Sequence, residues 1–302
     1  MRIAVVGAGA LGLYYGAMLQ RSGEDVHFLL RIDYDAITVQ GIKVFSTNGD
    51  FTLPQVHGYH APQQIGVVDM VLVGLKTFAN SSYRELVGPL VGESTQILTL
   101  QNGLGNEEAL AGLFGEERIL GGVAFLCANR GKPGEVHHTG PSRIVLGEPK
   151  RRDRARLEQL TAMFIKTGVE CRITEDLRRA RWEKLVWNIP FNGLCALLLQ
   201  PVNKLLKQDG TRALVRTIML EVIAAANAQD LSKPIDEGYA DSLLEFTDNM
   251  GEYRPSMQID REMGRQLELT AIFRIPLEYG QKKQIPMPRV EMLLTLLEQT
   301  VS

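Results

Sequence analysis

The sequence predicts a doubly wound α/β sheet domain followed by an all-α C-terminal domain. Over residues 1–173 of the 302-residue chain, short β-branched runs alternate with segments of helical spacing, as expected for an open sheet covered by helices. From residue 174 onward the strand pattern disappears and long helical segments dominate. One hydrophobic core rarely serves a chain of this length, so we expect two domains, residues 1–173 and 174–302.

The first domain begins with a strand, a helix and a strand. Residues 2–6 (RIAVV) form a β-branched run, residues 10–20 carry helical spacing, and residues 26–30 form a second apolar run. This order predicts parallel strands joined by a right-handed crossover. The same criteria predict strands at residues 69–75, 96–100, 119–125 and 143–147, and helices near residues 81–90, 106–113 and 152–167.

The second domain is predicted to be helical throughout. Thr174, followed by Glu175 and Asp176, is typical of a helix N-terminus, where a hydroxyl caps free N–H groups and acids are favoured. Turns are expected at residues 208–210, 232–234 and 254–255 and at Gly280.

Composition excludes several classes of function. The chain is 45% hydrophobic and 23% charged with a formal net charge of −2, which gives no electrostatic basis for binding nucleic acid or an anionic membrane. No uninterrupted apolar run approaches the ~20 residues of a membrane span, and the N-terminal run reads as a strand and turn rather than a signal peptide. Three well-separated cysteines, Cys127, Cys171 and Cys195, indicate a reducing cytoplasm.

No metal site is predicted. The chain contains no Cys-x-x-Cys pair, and the adjacent His137 and His138 alternate to opposite faces of a predicted strand. We expect both histidines to be polar surface residues.

A glycine-rich turn follows the first predicted strand. Gly7-Ala8-Gly9-Ala10-Leu11-Gly12 matches G-x-G-x-x-G between a strand and a helix, which is the context of a Rossmann-type dinucleotide site. The first glycine permits a tight turn, the second lets the backbone approach the pyrophosphate, and the third allows close packing of helix and strand. We therefore expect Gly7, Gly9, Leu11 and Gly12 to bind the cofactor.

The end of the second strand bears on which dinucleotide binds. NAD sites carry an acid there that accepts hydrogen bonds from the ribose, whereas this chain has Leu30 and Arg31. A guanidinium can form bidentate hydrogen bonds with a 2′-phosphate, so NADP(H) is favoured. Two alternatives stay open: Arg31 is a solvated loop residue, or the nearby Asp33 binds the ribose of NAD.

Two more residues follow predicted strands. Lys76 comes after VLVGL, and Asn102 comes after ILTLQ. Ligands of such sheets bind beyond the carboxyl ends of the strands, so both residues are candidates for cofactor contact. An exposed strand-end lysine and an ordinary Asn-Gly turn are the alternatives.

Lys184, Asn188 and Asn192 occur four residues apart in RWEKLVWNIPFNGLCAL. Steps of four place them on one stripe of a helix that is otherwise mostly apolar. A desolvated lysine with a lowered pKa is suited to protonate a carbonyl oxygen during hydride transfer, and carboxamides can bind a carboxylate or hydroxyl. A solvated polar stripe is the alternative interpretation.

The chain resembles the ketopantoate reductases (2-dehydropantoate 2-reductases), NADPH-dependent enzymes of pantothenate synthesis. The similarity runs nearly end to end through GAGALG, Arg31, GLKTF, LQNGLGN, EKLVWNIPFN and RPSMQIDREMGRQLE. It implies a Rossmann domain and a helical domain with the active site in the cleft between them, a small 2-keto acid substrate and a cytoplasmic enzyme. Relatives dimerise through the helical domain, so a homodimer is an open expectation.

The resemblance also implies roles for individual residues. It identifies Lys184 and Glu268 as catalytic, and Asn188, Asn192 and Ser256 as substrate-binding. It assigns NADP contacts to Arg31, Lys76, Asn102, Ala128 and the glycine turn. From the residues alone, Ser256 after Pro255 is a candidate helix cap, and Glu268 is an ordinary first-turn acid.

The last motif departs from the family pattern. Where relatives read E-I-D-x-x-N-G, this chain has Thr270, Phe273 and Arg274 at the Asp, Asn and Gly positions. We expect these changes to reshape the substrate pocket. They motivate one alternative to ketopantoate reduction, an NADP-dependent dehydrogenase for another 2-keto or 3-hydroxy acid. A non-catalytic NADPH-binding redox sensor is an alternative from a different class.

Overall fold

The computed structural model describes residues 1–150 and 154–300. The chain forms two compact units. One comprises Met1–Asn102 and Asn106–Leu177, and the other comprises Gly103–Gly105 and the residues from Arg178 onward.

Ten strands within the described residues of the first unit form one mixed sheet. They are β1 (Arg2–Val6), β2 (Asp25–Leu29), β3 (Ile42–Ser46), β4 (Phe51–Leu53), β5 (His57–Tyr59), β6 (Met70–Val73), β7 (Gln96–Thr99), β8 (Ile119–Arg130), β9 (Glu135–Gly147) and β10 (Glu170–Ile173). Six of them pair in parallel in the order β5-β2-β1-β6-β7-β8. Counted within this set, the order is 3-2-1-4-5-6, that of a dinucleotide-binding sheet, and it reverses between β1 and β6. The predicted Rossmann-type sheet is confirmed.

The other strands extend the sheet beyond this parallel core. β8 and β9 form a long antiparallel hairpin with a register shift between Leu126 and Ala128. β9 also pairs in parallel with β3 and β10, and β3 pairs with β4. Both hairpin strands are longer than predicted, because their outer halves lack an apolar run.

Helices cover both faces of the sheet, and an apolar core lies on each face. Ile3 and Val5 belong to the apolar cluster on one face, and Ala4 and Val6 to the cluster on the other. Since both faces are covered, these four consecutive residues of β1 are fully buried. The helices are α1 (Ala10–Arg21), α2 (Tyr34–Gln40), α3 (Pro62–Ile65), α4 (Tyr83–Leu86), α5 (Asn106–Phe114) and α6 (Arg154–Lys166).

The second unit is all-α in the residues that the structure describes, as predicted. Its core contains the fully buried side chains of Trp182, Phe191 and Phe273. In the described parts of the chain, no helix combines the length and the apolar composition needed to cross a bilayer. The helices are α7 (Leu177–Leu198), α8 (Val202–Leu206), α9 (Asp209–Asn227), α10 (Gly238–Asp248), α11 (Ser256–Glu262), α12 (Ile275–Lys282) and α13 (Pro288–Glu298), with a π-helical segment, Thr270–Arg274, before α12.

Two local predictions about helices were wrong. The predicted helix over residues 81–90 is reduced to α4 and short 3₁₀ turns, since Gly88 and Pro89 interrupt the helical hydrogen bonds. Gly280 was predicted to form a turn but lies inside α12. A Cβ atom there would lie 2.9 Å from the sulfur of Met287, so the glycine serves close packing.

The predicted N-terminus at Thr174 was also wrong, because α7 begins at Leu177. The Thr174 hydroxyl accepts a hydrogen bond from the backbone N–H of Asp176 at 3.1 Å and closes a local turn. A hydroxyl followed by acids fits either arrangement, and the turn is the one adopted.

The two histidines of β9 alternate across the strand, but only His137 fits the surface interpretation. His138 is buried, its Nδ1 lies 2.9 Å from the hydroxyl of Ser46, and its ring packs on Tyr14. The prediction was wrong for His138 because α1 covers that face of the hairpin and β3 pairs alongside it in the sheet.

Candidate functional site

The glycine turn lies where the strand order of the sheet reverses. Gly7 has φ +99°, and a Cβ on it would overlap the backbone of Gly74 and Leu75 after β6. A Cβ on Gly12 would overlap the carbonyl oxygen of Gly7. The fold itself therefore requires both glycines.

Gly9 differs from its neighbours in the turn. Its φ is −76°, which any residue can adopt, and no heavy atom lies within 4 Å of an added Cβ. Gly9 also precedes the first turn of α1, which has no side-chain cap and no acidic residue. Free N–H groups behind an open, neutral surface fit the pyrophosphate of a dinucleotide.

The side chain of Arg31 extends from the end of β2. It is exposed and forms no hydrogen bond or ion pair with another described residue. Asp33, by contrast, is only 4% exposed and forms an ion pair with the guanidinium of Arg130. The carboxylate is therefore already engaged by a cation within the protein, which weakens the Asp33 alternative.

Lys76 and Asn102 are half-buried and follow β6 and β7. A chain of 2.9 Å amide hydrogen bonds joins the two segments: Gln101 donates to Asn80, Asn80 donates to Asn106, and Asn106 donates to the Asn102 carbonyl. This network fixes the loops that carry both candidates. No sequence pattern predicts this network, because amide contacts between distant segments leave no local signal.

Cofactor candidates thus follow successive strands of the parallel sheet. Arg31 follows β2, the glycine turn follows β1, Lys76 follows β6 and Asn102 follows β7. Ala128 lies within β8, opposite His138 and directly after the register shift of the hairpin. In residues 1–150 and 154–300, no group of three or more His, Cys, Asp or Glu side chains is arranged to hold a metal ion.

Lys184 lies in the second unit on α7 and is half-buried. Burial, aided by the nearby Arg181 guanidinium, lowers the pKa of its ammonium to about 7, even though the carboxylate of Glu268 acts in the opposite direction. An amine with a pKa near neutrality can give up and regain a proton readily at physiological pH.

The two asparagines of the stripe are buried, which excludes the solvated-stripe interpretation for them. Asn188 is 4% exposed and Asn192 is 2% exposed. The Asn192 oxygen accepts hydrogen bonds from the Met257 N–H at 3.0 Å and the Ser256 hydroxyl at 3.3 Å. No hydrogen bond joins the buried Asn188 carboxamide to another described side chain, so this carboxamide remains a candidate for ligand binding.

Ser256 is the first residue of α11, and the expectation that it caps this helix was wrong. Its hydroxyl makes no capping bond. Asn192 instead accepts the Met257 N–H from a different helix. The carboxamide therefore joins α7 to the start of α11 and brings Ser256 into the stripe that contains Asn188 and Lys184.

Glu268 directly precedes the helical segment that continues into α12, close to its predicted place. Its carbonyl accepts the Ile272 N–H at 3.3 Å, and the residue is 3% exposed. A buried carboxylate requires a compensating charge, and its influence on the pKa of Lys184 identifies that lysine as one source.

The three residues that depart from the family motif, Thr270, Phe273 and Arg274, do not add polar groups to the stripe on α7. Phe273 is fully buried in the core of the unit and packs against Gly193. Arg274 forms an ion pair with Glu298, and Thr270 is exposed. The expectation that the aromatic and the cation reshape the pocket is therefore not supported by their positions.

Comparison with known proteins identifies the family. The model described as Ketopantoate reductase PanE/ApbA matches residues 3–151, and the model of its C terminal part matches residues 176–301. A curated 2-dehydropantoate 2-reductase from Nostoc sp. is 39% identical over 297 residues, covering 97% of this chain and 92% of its own.

Solved structures agree with this result. The 2-dehydropantoate 2-reductase from Geobacter metallireducens is 72% identical with a TM-score of 0.98, covering 99% of each chain. The enzyme of the same name from Methylococcus capsulatus is 28% identical with a TM-score of 0.89, covering 100% of this chain and 98% of its own. The chain therefore belongs to the ketopantoate reductase family.

Proposed function

We propose that this protein uses NADPH to reduce 2-dehydropantoate to pantoate, a step of pantothenate synthesis. The observation that carries the proposal is Lys184, whose pKa is lowered to about 7 by burial and by the neighbouring Arg181. A general acid is most effective when its pKa lies near the working pH. Membership of the family supports the identity of the substrate.

The first unit would hold the cofactor. The backbone at Gly9 and the start of α1 fit the pyrophosphate, and Arg31 fits a 2′-phosphate because guanidinium groups bind phosphate bidentately. Lys76, Asn102 and Ala128 are the further proposed contacts. When bound, the reduced nicotinamide supplies the hydride that reduces C2 of the keto acid.

Residues of the second unit would act on the substrate. Nζ of Lys184 donates its proton to the C2 oxygen as negative charge develops there, and the neutral amine then regains a proton from solvent. Glu268 keeps a larger fraction of Lys184 protonated, because its carboxylate favours the ammonium. The carboxamide of Asn188 and the Asn192–Ser256 pair would bind the substrate's carboxylate and hydroxyl groups.

A spectrophotometric assay of NADPH oxidation tests the proposal. We expect turnover with ketopantoate, a higher kcat/KM than with other 2-keto acids, and a preference for NADPH over NADH. Replacing Lys184 with Ala should lower kcat by about 10²-fold or more. Lys204→Ala, which removes an exposed lysine of α8, is the matched control and should be neutral.

The same assay distinguishes the alternatives. Normal turnover in the Lys184→Ala variant would refute the assigned acid. A higher kcat/KM for a different keto acid would replace the substrate but keep the chemistry. NADPH binding without oxidation by any keto acid would point to a redox sensor.

A further inference from the structure

The turn that follows β2 contains an ion pair that the proposed chemistry does not use. The carboxylate of Asp33 is buried, and the guanidinium of Arg130 binds its Oδ2 atom. The backbone N–H of Gly134 approaches the same oxygen at 3.5 Å. The other oxygen, Oδ1, is buried without a hydrogen-bond partner. Arg130 is therefore the main group that compensates the charge of Asp33.

The position of this carboxylate matters for cofactor choice. An acid at the end of the second strand favours NAD, because it binds ribose hydroxyls and repels a 2′-phosphate. Asp33 lies only two residues beyond Arg31, and the Arg31 carbonyl accepts the Tyr34 N–H within the same turn. Without compensation, the negative charge of Asp33 would act on the surroundings of Arg31 at short range.

The extended hairpin brings Arg130 to this turn. Arg130 is the last residue of β8 and pairs with Val136 of β9, far beyond the part of β8 that pairs with β7. The hairpin packs against α1, the helix that connects β1 to β2. A residue 97 positions away in the sequence thereby reaches Asp33.

Resting on the proposed use of NADPH, we propose that Arg130 is a positioning residue that sets cofactor specificity. By binding Asp33, it cancels the carboxylate charge beside Arg31 and keeps that carboxylate turned away from the ribose. The end of β2 is then free to bind an adenosine 2′-phosphate through Arg31.

The test compares single and double variants that remove these charges, and it measures cofactor affinity rather than activity. Isothermal titration calorimetry would give Kd for NADPH and for NADH with the wild type, Arg130→Met, Asp33→Asn and the double variant. In Arg130→Met the uncompensated carboxylate should weaken NADPH binding by about 10-fold and NADH binding much less. In Asp33→Asn the freed cation should raise the preference for NADPH. The double variant, in which both charges are absent, should return to near the wild-type ratio.

Arg130→Lys provides the conservative control. It keeps the positive charge but changes the shape of the side chain, so it should keep the preference for NADPH. If Arg130 acted only through packing, Arg130→Lys would lose that preference as Arg130→Met does. Higher ionic strength should reduce the difference between Arg130→Met and the wild type, since salt screens the carboxylate.

The outcomes separate this inference from the proposed function. A wild-type protein that does not prefer NADPH would refute the proposed cofactor. If the wild type prefers NADPH but the ratio is unchanged in Arg130→Met, the inference is overturned. Should circular dichroism show that Arg130→Met does not fold, Asp33→Asn decides, because an unchanged or lower preference for NADPH in that variant contradicts the proposal.

Discussion

Removing the carboxylate of Glu268 should move the pH dependence of catalysis. Glu268 raises the pKa of Lys184, while burial and Arg181 lower it to about 7. Glu268→Gln keeps the size of the side chain but removes its charge, so the pKa of Lys184 should fall. As Lys184 acts as an acid, activity is present below its pKa and is lost as pH rises through it.

The expected size follows from the charge interaction. A charge partner within a few ångströms at a partly buried site typically shifts a pKa by about 1–2 units. The pKa of Lys184 would then fall from about 7 to between about 5 and 6 in the variant. At about pH 7 the protonated fraction falls from roughly one half to about 1–10%, so kcat/KM should drop about 5- to 50-fold. At about pH 5 the variant should come within about 2-fold of the wild type.

The assay is the pH profile of kcat/KM for the keto acid at saturating NADPH. Saturation matters because a 2′-phosphate itself titrates near about pH 6 and would otherwise affect cofactor binding. Glu278→Gln, which removes an exposed acid on α12, is the matched control and should leave the profile unchanged. A Glu268→Gln profile with the wild-type midpoint, or an equal loss at every pH, would refute the coupling of the two residues.

Three further results are expected. Gly9→Ala should leave the melting temperature unchanged, because an added Cβ meets no protein atom. It should weaken NADPH binding by about 10-fold or more, because that Cβ would occupy the surface proposed for the phosphates. Normal affinity in calorimetry would contradict the assigned phosphate site. Asn192→Ala should lower the free energy of unfolding by about 1–3 kcal/mol in urea titrations, since the Met257 N–H loses its acceptor. Phe273→Asn should destabilise the protein by about 3 kcal/mol or more, because this side chain fills the core. The order of kcat/KM values among keto acids should not change. A changed order would place Phe273 in the substrate site.

Sequence reasoning succeeded where the local pattern carries the information. The glycine turn lies between β1 and α1, as its spacing indicated, and the four-residue spacing of Lys184, Asn188 and Asn192 correctly predicted one helix. The burial of the two asparagines was not settled by this pattern, which fits a solvated polar stripe equally well.

It failed where the partner is remote in sequence. The first residue of α11, Ser256, looked like a cap, but the capping oxygen comes from Asn192, 65 positions from the N–H it accepts. The Asp33–Arg130 pair is hidden for the same reason. Short strands such as β4 and β5 have three residues each, too few for a detectable alternation.

The fold accounts for some of the candidate residues and leaves others unexplained. Gly7 and Gly12 are required by close backbone approach, and Asn192 caps a helix. Gly9 has no such constraint, and the buried Asn188 carboxamide has no hydrogen bond to another described side chain, which costs about 1–3 kcal/mol. Likewise, burial opposes the charge of Lys184. A protein selected for stability alone would replace such groups, so the presence of these three is best explained by what they bind or protonate.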